Sequence, residues 1–448
     1  MPQLTTLESG ILKTQDPARH ASMALGAVAV VNGAAPDHDQ LKMLLAERVR
    51  AIPRCTQVLR TEWVDAPGFN LAHHVRRVAL PQPGDDAELF GAIAHALERP
   101  LDLDLPLWEC WIIEGLKGNR WAILMKIHHC MADDIPAAHL LTRLCDDADS
   151  DIFANHAGDE QLSPPREDTP SWTDALWRAS DTVCKAAARA LSWPITWTSP
   201  ARPATTMRRY STVRIPRAAV DSVCRKFGVT ANDVALAAIA EGFRTVLLQR
   251  GEQPRADSLR TLEKADDRVS AMLPYLPVEH EDPVQRLRSV HHQLHRATEG
   301  QRRPAGIVDL ATNYIPFTLC VKVIQALNRL QQQGIVTLAT NAPGPRHRLR
   351  LMGQRMEQLL PIPPTALQLS TGVSVLSYGD ELVFGITADY DAAPAMQQLA
   401  AGIELGMAHL VALSQDSVLL FTKDRRKRSR SVSSAKRRAY PPPAPARH

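Results

Sequence analysis

The sequence predicts an α/β fold in two halves, with mixed β-sheets flanked by helices. Three observations lead there. Short apolar, β-prone runs stop at turn residues, other segments repeat their apolar residues at helical spacing, and the two kinds alternate along the chain. At 448 residues the chain is long enough to bury two cores.

In the first half, residues 4–13 read as a lead-in. Residues 23–31 form a continuous apolar run closed by Asn32-Gly33, which suits a buried strand. Leu41, Leu44, Leu45 and Val49 share one face of a helix over 39–50, ended by Pro53. Leu89, Phe90, Ile93 and Leu97 do the same over 86–97. Residues 108–114 and 121–127 flank Lys117-Gly118-Asn119 as a hairpin. The second of these strands stops at His128 and His129, and Leu140, Leu141 and Leu144 after Pro136 begin a helix.

The second half opens with a strand over 207–215 and a helix over 217–227 capped by Gly228. An Ala-rich helix follows to residue 248, and Thr230 with Asp233 approximates a capping box at its start. Residues 269–278 read as an edge strand, because Pro274 and Pro277 interrupt it. The helix over 283–298 carries His291, His292 and His295 as a solvated face, without the carboxylate or Cys partners a metal site needs. A strand over 335–340 runs into the turn at 341–345. Residues 372–378 and 381–390 make a hairpin across Gly379-Asp380, and a helix over 393–413 closes the fold.

Composition bounds the function. Charged residues make up 22% and hydrophobic ones 45%, ordinary for a soluble globular protein. The net charge of +4 belongs to the end of the chain: residues 423–448 hold ten Lys/Arg and one acidic residue, which leaves 42 basic and 47 acidic residues in the body. A nucleic-acid footprint on the body is not indicated. The seven cysteines show no CxxC pair and no metal spacing, which fits reduced thiols in a cytoplasmic protein. The start lacks a signal-peptide pattern, and no run of about 20 apolar residues offers a bilayer span.

The expected domains are residues 1–147, a connection over 148–206, a second domain over 207–422, and a disordered basic, Pro-rich tail over 423–448. Within the connection, Trp172, Trp177, Trp193 and Trp197 stand among Arg178, Lys185 and Arg189. Two readings stay open there, an interfacial helix at a lipid headgroup layer and a helix packed across the domains. The tail either binds anionic lipid or only solubilises.

The chemistry concentrates at the end of the strand over 121–127. Side chains alternate along a strand, so one of His128 and His129 faces a site and the other faces packing. A neutral imidazole can take a proton from an alcohol and return it to a leaving group. Asp133 can orient the ring or hold the turn, and Asp133 or Asp134 could instead be a helix N-cap.

His128-His129-x-x-x-Asp133 resembles the HHxxxDG signature of CoA-dependent acyltransferases. Pro106-Leu107-Trp108, Asn232-Asp233 and Asn341-Ala342-Pro343-Gly344-Pro345 resemble the PLW, ND and N-x-PGP elements of the bacterial wax ester synthase/diacylglycerol acyltransferase branch, of mycobacterial type. The elements keep the family's order and spacing, and the likeness covers about residues 4–415. One position departs: the signature's glycine is Asp134, which tolerates a positive φ less well and adds a negative charge beside the histidine.

The resemblance implies two chloramphenicol-acetyltransferase-like domains with the active site at their interface. It also implies acyl-CoA as co-substrate with no cofactor and no metal, and diacylglycerol or a long-chain alcohol as acceptor. His129 would be the general base, with His128 beside it and Asp133 orienting. Asn232, Asp233, Pro106, Leu107, Trp108, Asn341, Pro343 and Gly344 are the substrate-contact or oxyanion candidates. For Trp108 core packing competes with substrate contact, and for Asp233 a capping role does. Cys130 has no required counterpart in the family. The implied location is cytoplasmic, peripheral on the inner membrane or on lipid inclusions. Three alternatives stay open: a condensation-domain-like enzyme using another acceptor, a catalytically weak, lipid-binding paralogue because of Asp134, and, least favoured, nucleic-acid binding by the tail over 423–448.

Overall fold

The computed structural model describes residues 24–60, 63–66, 68–128, 131, 137–147, 207–256, 259–262, 276–301, 335–342, 345, 347–363 and 371–415. In chain order these form β1 (Ala24–Asn32), α1 (His38–Arg50), β2 (Gln57–Leu59), β3 (Trp63–Asp65), β4 (Val75–Ala79), α2 (Asp86–Glu98), β5 (Trp108–Leu116), β6 (Arg120–His128) and α3 (Ala137–Arg143). The second half adds β7 (Arg208–Pro216), α4 (Arg217–Phe227), α5 (Ala231–Gln249), β8 (Arg260–Leu262), α6 (Pro283–Gln301), β9 (Ile335–Ala342), β10 (Arg350–Leu351), β11 (Gln354–Ile362), β12 (Thr371–Tyr378), β13 (Glu381–Asp389) and α7 (Ala393–Gln415).

Two mixed sheets organise these elements, as the α/β expectation requires, and β2 and β3 form a separate antiparallel pair. The first runs β10-β11-β1-β6-β5-β4, antiparallel except where β4 lies parallel to β5. The second runs β7-β13-β12-β9-β8, with β9 parallel to both β12 and β8. The first sheet is covered on both faces, which explains why β1 and β6 read as continuous apolar runs. Ala27, Ala29, Ile123, Met125, Ile127 and Ile112 pack with Leu41, Leu45 and Val49 of α1 and with Leu140 and Leu141 of α3. On the opposite face Val28, Val30, Ala122, Leu124 and Ile113 pack with Leu89, Ile93 and Leu97 of α2.

The division at residue 207 separates the chain but not the sheets. β11, a strand that no local pattern in the sequence predicts, pairs with β1 along its length. Without it β1 would be an edge strand with apolar side chains on both faces, an open template for pairing with another chain. β11 closes that edge and buries Met356, Leu359, Leu360 and Ile362.

The second sheet also has two unlike faces. Val213, Val373, Val375, Phe384, Ile386 and Ala388 form a core with α4, α5 and α7. Tyr210 and Val383, on the other face, join the α2-side core of the first sheet. The Tyr210 hydroxyl donates to the Pro361 carbonyl of β11 at 2.8 Å, and Phe90 of α2 meets its ring edge-on at 5.4 Å. Gly385 lies against that same carbonyl, with no room for a Cβ. The halves are therefore riveted face to face.

Helix ends follow local rules. Asp85 and Glu88 form a capping box on α2, Thr230 and Asp233 form one on α5, and Gly228 ends α4 at φ 68°. Of the strand expected over 269–278, residues up to 275 lie outside the described residues, and Leu276 to Val278 are not in a strand. Residues 4–13, the connection over 148–206 and the tail over 423–448 also lie outside them.

Candidate active site

The site is built from the end of β6. His128 is 3% exposed, and its backbone N–H donates to the Leu107 carbonyl at 2.9 Å. This bond joins the PLW element to the histidine pair. By strand alternation His128 shares its face with Leu124 and Lys126, the face covered by α2 and the second sheet. His129, Cys130, Asp133 and Asp134 lie outside the described residues.

Pro106, Leu107 and Trp108 are buried where β5 begins. Trp108 packs in the first core: its indole N–H donates to the Cys55 carbonyl at 2.8 Å, and its ring stacks on His74 at 4.5 Å between centroids. Phe69 packs against His74 at 5.4 Å and against Trp108 at 6.4 Å, so the three rings form a cluster. His74 Nδ1 donates to the Trp108 carbonyl at 2.8 Å. Burial holds the His74 imidazole below its usual pKa, and the bond to Trp108 only partly opposes this.

Two residues before His128, Lys126 is fully buried. Its ammonium donates to the Ala96 carbonyl at 2.9 Å and to the Arg99 carbonyl at the end of α2, and it pairs with Glu109 at 3.2 Å. A cation at a helix C-terminus meets the negative end of the dipole. Glu109 also receives Arg76 at 3.1 Å and the Trp111 indole N–H at 3.2 Å. Burial raises the Glu109 carboxyl, but Lys126 and these donors outweigh it and leave the group below the usual carboxylate range. Sequence reasoning missed this network. Its signal was a lysine and a glutamate on two otherwise apolar strands.

The second-half elements are held differently. Thr230 N–H donates to Asp233 Oδ2 at 2.8 Å, and Asp233 N–H donates back to Thr230 Oγ1 at 3.2 Å, the expected capping box. His291 of α6 adds a third contact, Nδ1 to Asp233 Oδ2 at 2.9 Å. The expectation of a solvated face over His291, His292 and His295 is corrected at its first member, because α6 packs along α5 and aims that ring at a buried carboxylate. His292 is exposed, and the His295 side chain lies outside the described residues. Asn232 Oδ1 is buried, with no hydrogen-bond partner among the described residues. α5 and α7 run antiparallel, with Gly242 against Leu399 and Glu241 against Gly406. Asn232 therefore begins α5 on the helix-covered side of the second sheet.

Asn341 lies near the end of β9, one residue before Ala342, which pairs with Leu376. Pro343 and Gly344 lie outside the described residues, and Pro345 is buried. Thus the structure joins the PLW element to the histidine strand, sets the ND element on α5 and places Asn341 where the chain leaves the second sheet for β10 and β11.

Comparison with known proteins gives the family of the chain. The model of the wax ester synthase/diacylglycerol acyltransferase catalytic domain matches residues 5–235, and that of the family's C-terminal domain matches 266–410. A Mycobacterium tuberculosis protein with a provisional diacylglycerol O-acyltransferase name is 69% identical over 100% of both chains. A probable diacylglycerol O-acyltransferase of the same species is 47% identical, over 93% of this chain and 97% of that one. Among solved structures, the wax ester synthase/diacylglycerol acyltransferase from Marinobacter aquaeolei VT8 superposes with a TM-score of 0.65 at 23% identity, covering 92% of this chain and 100% of that one. The first condensation domain of the calcium-dependent antibiotic synthetase shares the fold at a TM-score of 0.57 and 12% identity, over 93% and 97% of the two chains. The chain belongs to the wax ester synthase/diacylglycerol acyltransferase family.

Proposed function

We propose that this protein is an acyl-CoA-dependent O-acyltransferase that moves a long-chain acyl group onto diacylglycerol or a long-chain alcohol. The observation that carries the reading is the His128-His129-x-x-x-Asp133 run at the exit of β6 in a chain of this family. In the proposed step His129 takes the proton of the acceptor hydroxyl as its oxygen attacks the thioester carbonyl. The C–O ester bond forms, the C–S bond breaks, and the imidazolium returns the proton to the departing CoA sulfur. A thioester is already activated, so the step calls on acyl-CoA as co-substrate and on no metal or cofactor. Asp133 orients the loop and the ring.

The test is acyl transfer from palmitoyl-CoA to dioleoylglycerol and to hexadecanol, with His129→Ala beside the parent chain. A true general base contributes about 10²–10⁴-fold, so the variant should lose activity by that factor while keeping its circular dichroism spectrum. Full activity in the variant would end the mechanism.

Asp134 favours a second reading, a catalytically weak member that holds lipid without turning it over rapidly. Asp134→Gly decides: a large rise in kcat supports the weak-member reading, and an unchanged kcat removes it. Among the described residues no helix is long and apolar enough to cross a membrane. Association with a bilayer or a lipid inclusion, proposed from the tail and the tryptophans over 172–197, would be peripheral. Flotation with anionic liposomes, with and without residues 423–448, tests the tail's part.

A further inference from the structure

The face of the second sheet that looks toward the first half contains a buried hydroxyl with nothing to bond. Thr387 of β13 stands between Tyr210 of β7 and Gly372 of β12, and residues paired across neighbouring strands share a face. Tyr210 crosses from that face to Pro361 of β11, so Thr387 looks into the same space between the sheets. Thr387 is 2% exposed, and its Oγ1 is buried with no hydrogen-bond partner among the described residues. Native chains seldom leave such a group unpaired without a reason. Gly372 contributes no side chain next to it, and one pair further along Ser374, 9% exposed, stands opposite Gly385. Gly385 is covered by the Pro361 carbonyl, so the polar strip that stays unfilled begins beyond that contact, at Thr387 and Gly372, with Ser374 at its inner edge, on a face whose other residues include Tyr210 and Val383.

α2 gives the strip a direction. The end of α2 holds the backbone N–H of Arg208 through Glu98, and Lys126 of β6 through the Ala96 carbonyl. Asp389 pairs with Arg208 across β13 and β7, so passing from Gly385 through Thr387 to Asp389 approaches the end of β6 that carries His128. Thr387 thus lies on the histidine side of the contact between the sheets.

Resting on the acyltransferase reading, we propose that Thr387 is a substrate-binding residue whose hydroxyl donates a hydrogen bond to a neutral carbonyl group of a substrate lying between the sheets, with Ser374 lining the same strip. A hydrocarbon chain would leave the hydroxyl as unsatisfied as before. A phosphate would want a free cation, and Arg208 at the end of this strip is already paired with Asp389. Two sources supply such a carbonyl: an amide of the pantetheine arm of acyl-CoA and an ester of diacylglycerol.

Thr387→Val keeps the shape and removes the hydroxyl, and Thr387→Ser keeps the hydroxyl. Binding is measured by calorimetry with palmitoyl-CoA, and separately with dioleoylglycerol in detergent micelles, alongside thermal unfolding without ligand. The Val variant should bind one of the two ligands about tenfold more weakly, the scale of one lost hydrogen bond. The Ser variant should bind as the parent does. The ligand that weakens identifies the source. Without ligand the Val variant should melt no lower than the parent, because it removes an unpaired buried group. Unchanged affinity for both ligands overturns the proposal, and a lower Tm beside it would assign the hydroxyl to an internal water. A parent chain that binds neither ligand overturns it as well. Weakened binding in a chain that transfers no acyl group would sink the catalytic reading and leave this one standing.

Discussion

Motif residues in the two halves are held by different physics. Around the end of β6 buried polar groups are tied to partners far along the chain: His74 to Trp108, Trp108 to Cys55, Lys126 to Ala96 and Glu109. At the start of α5, Asp233 is tied first to Thr230, three residues away, and only then to His291 of another helix. The first arrangement is an enclosed network, in which losing one member strands another in a low-dielectric interior. The second is a helix cap with one added bond, and a cap can be lost without unfolding what surrounds it. A shared family signature therefore does not mean a shared structural role.

Removing Lys126 tests that contrast most strongly. Lys126 is fully buried and Glu109 nearly so, and breaking a buried pair from one side costs about 3–5 kcal/mol. Lys126→Met should lower the urea midpoint accordingly, and Lys126→Met with Glu109→Gln should recover part of the loss because no uncompensated carboxylate stays buried. Asp233→Ala should cost less, about 1–2 kcal/mol, because it removes the carboxylate's bonds to Thr230 N–H and His291 while the Thr230 hydroxyl keeps its own cap. A double-mutant cycle with His291→Ala should then give a coupling of about 0.5–1.5 kcal/mol for the histidine bond. Equal losses for Lys126→Met and Asp233→Ala would break the comparison. A near-zero cycle would show that the cap acts without its histidine.

The same contrast separates what could be read in the sequence from what could not. The capping box at Thr230 and Asp233, Gly228 at the end of α4 and the turn at Gly379-Asp380 are decided by residues within a few positions of each other. They stand in the structure where these local patterns put them. β11 escaped because Gln354–Ile362 shows no clear alternation, and its partner β1 lies more than three hundred positions earlier. His291 read as solvated because its carboxylate sits on another helix. Lys126 and Glu109 stand on the two strands of the expected hairpin, but the register shift between Ile113 and Leu116 that sets them opposite each other is not announced by the sequence. Around the histidines, the PLW element could be placed beside the strand from the hairpin alone, whereas the His74 stack beneath it depends on β4 lying parallel to β5, a pairing no local pattern announces.

His74 supplies the smallest test, and its sign follows from burial. The buried ring resists protonation, so its pKa in the fold lies below the 6.5 of an unperturbed histidine. In the unfolded chain the same ring takes up a proton as the pH falls through 6.5, and the folded chain does not follow until lower pH. The unfolded state then binds more protons, so the stability tied to His74 is complete above pH 6.5 and is lost as the pH drops through that value. Glu109, Asp146 and Asp85 sit below their usual range and release their share only at more acidic pH, while burial raises the Glu241 carboxyl, which acts with the opposite sign and equally in parent and variant. His74→Phe keeps an aromatic ring against Trp108 and Phe69 and removes the titration. Melting temperatures at pH 7.5, 6.5, 5.5 and 5 should fall less steeply for this variant than for the parent, even though losing the bond to the Trp108 carbonyl lowers its whole curve. Parallel curves would mean that the ring is protonated in the fold at the same pH as outside it, and that the stack beneath the PLW element is open to water.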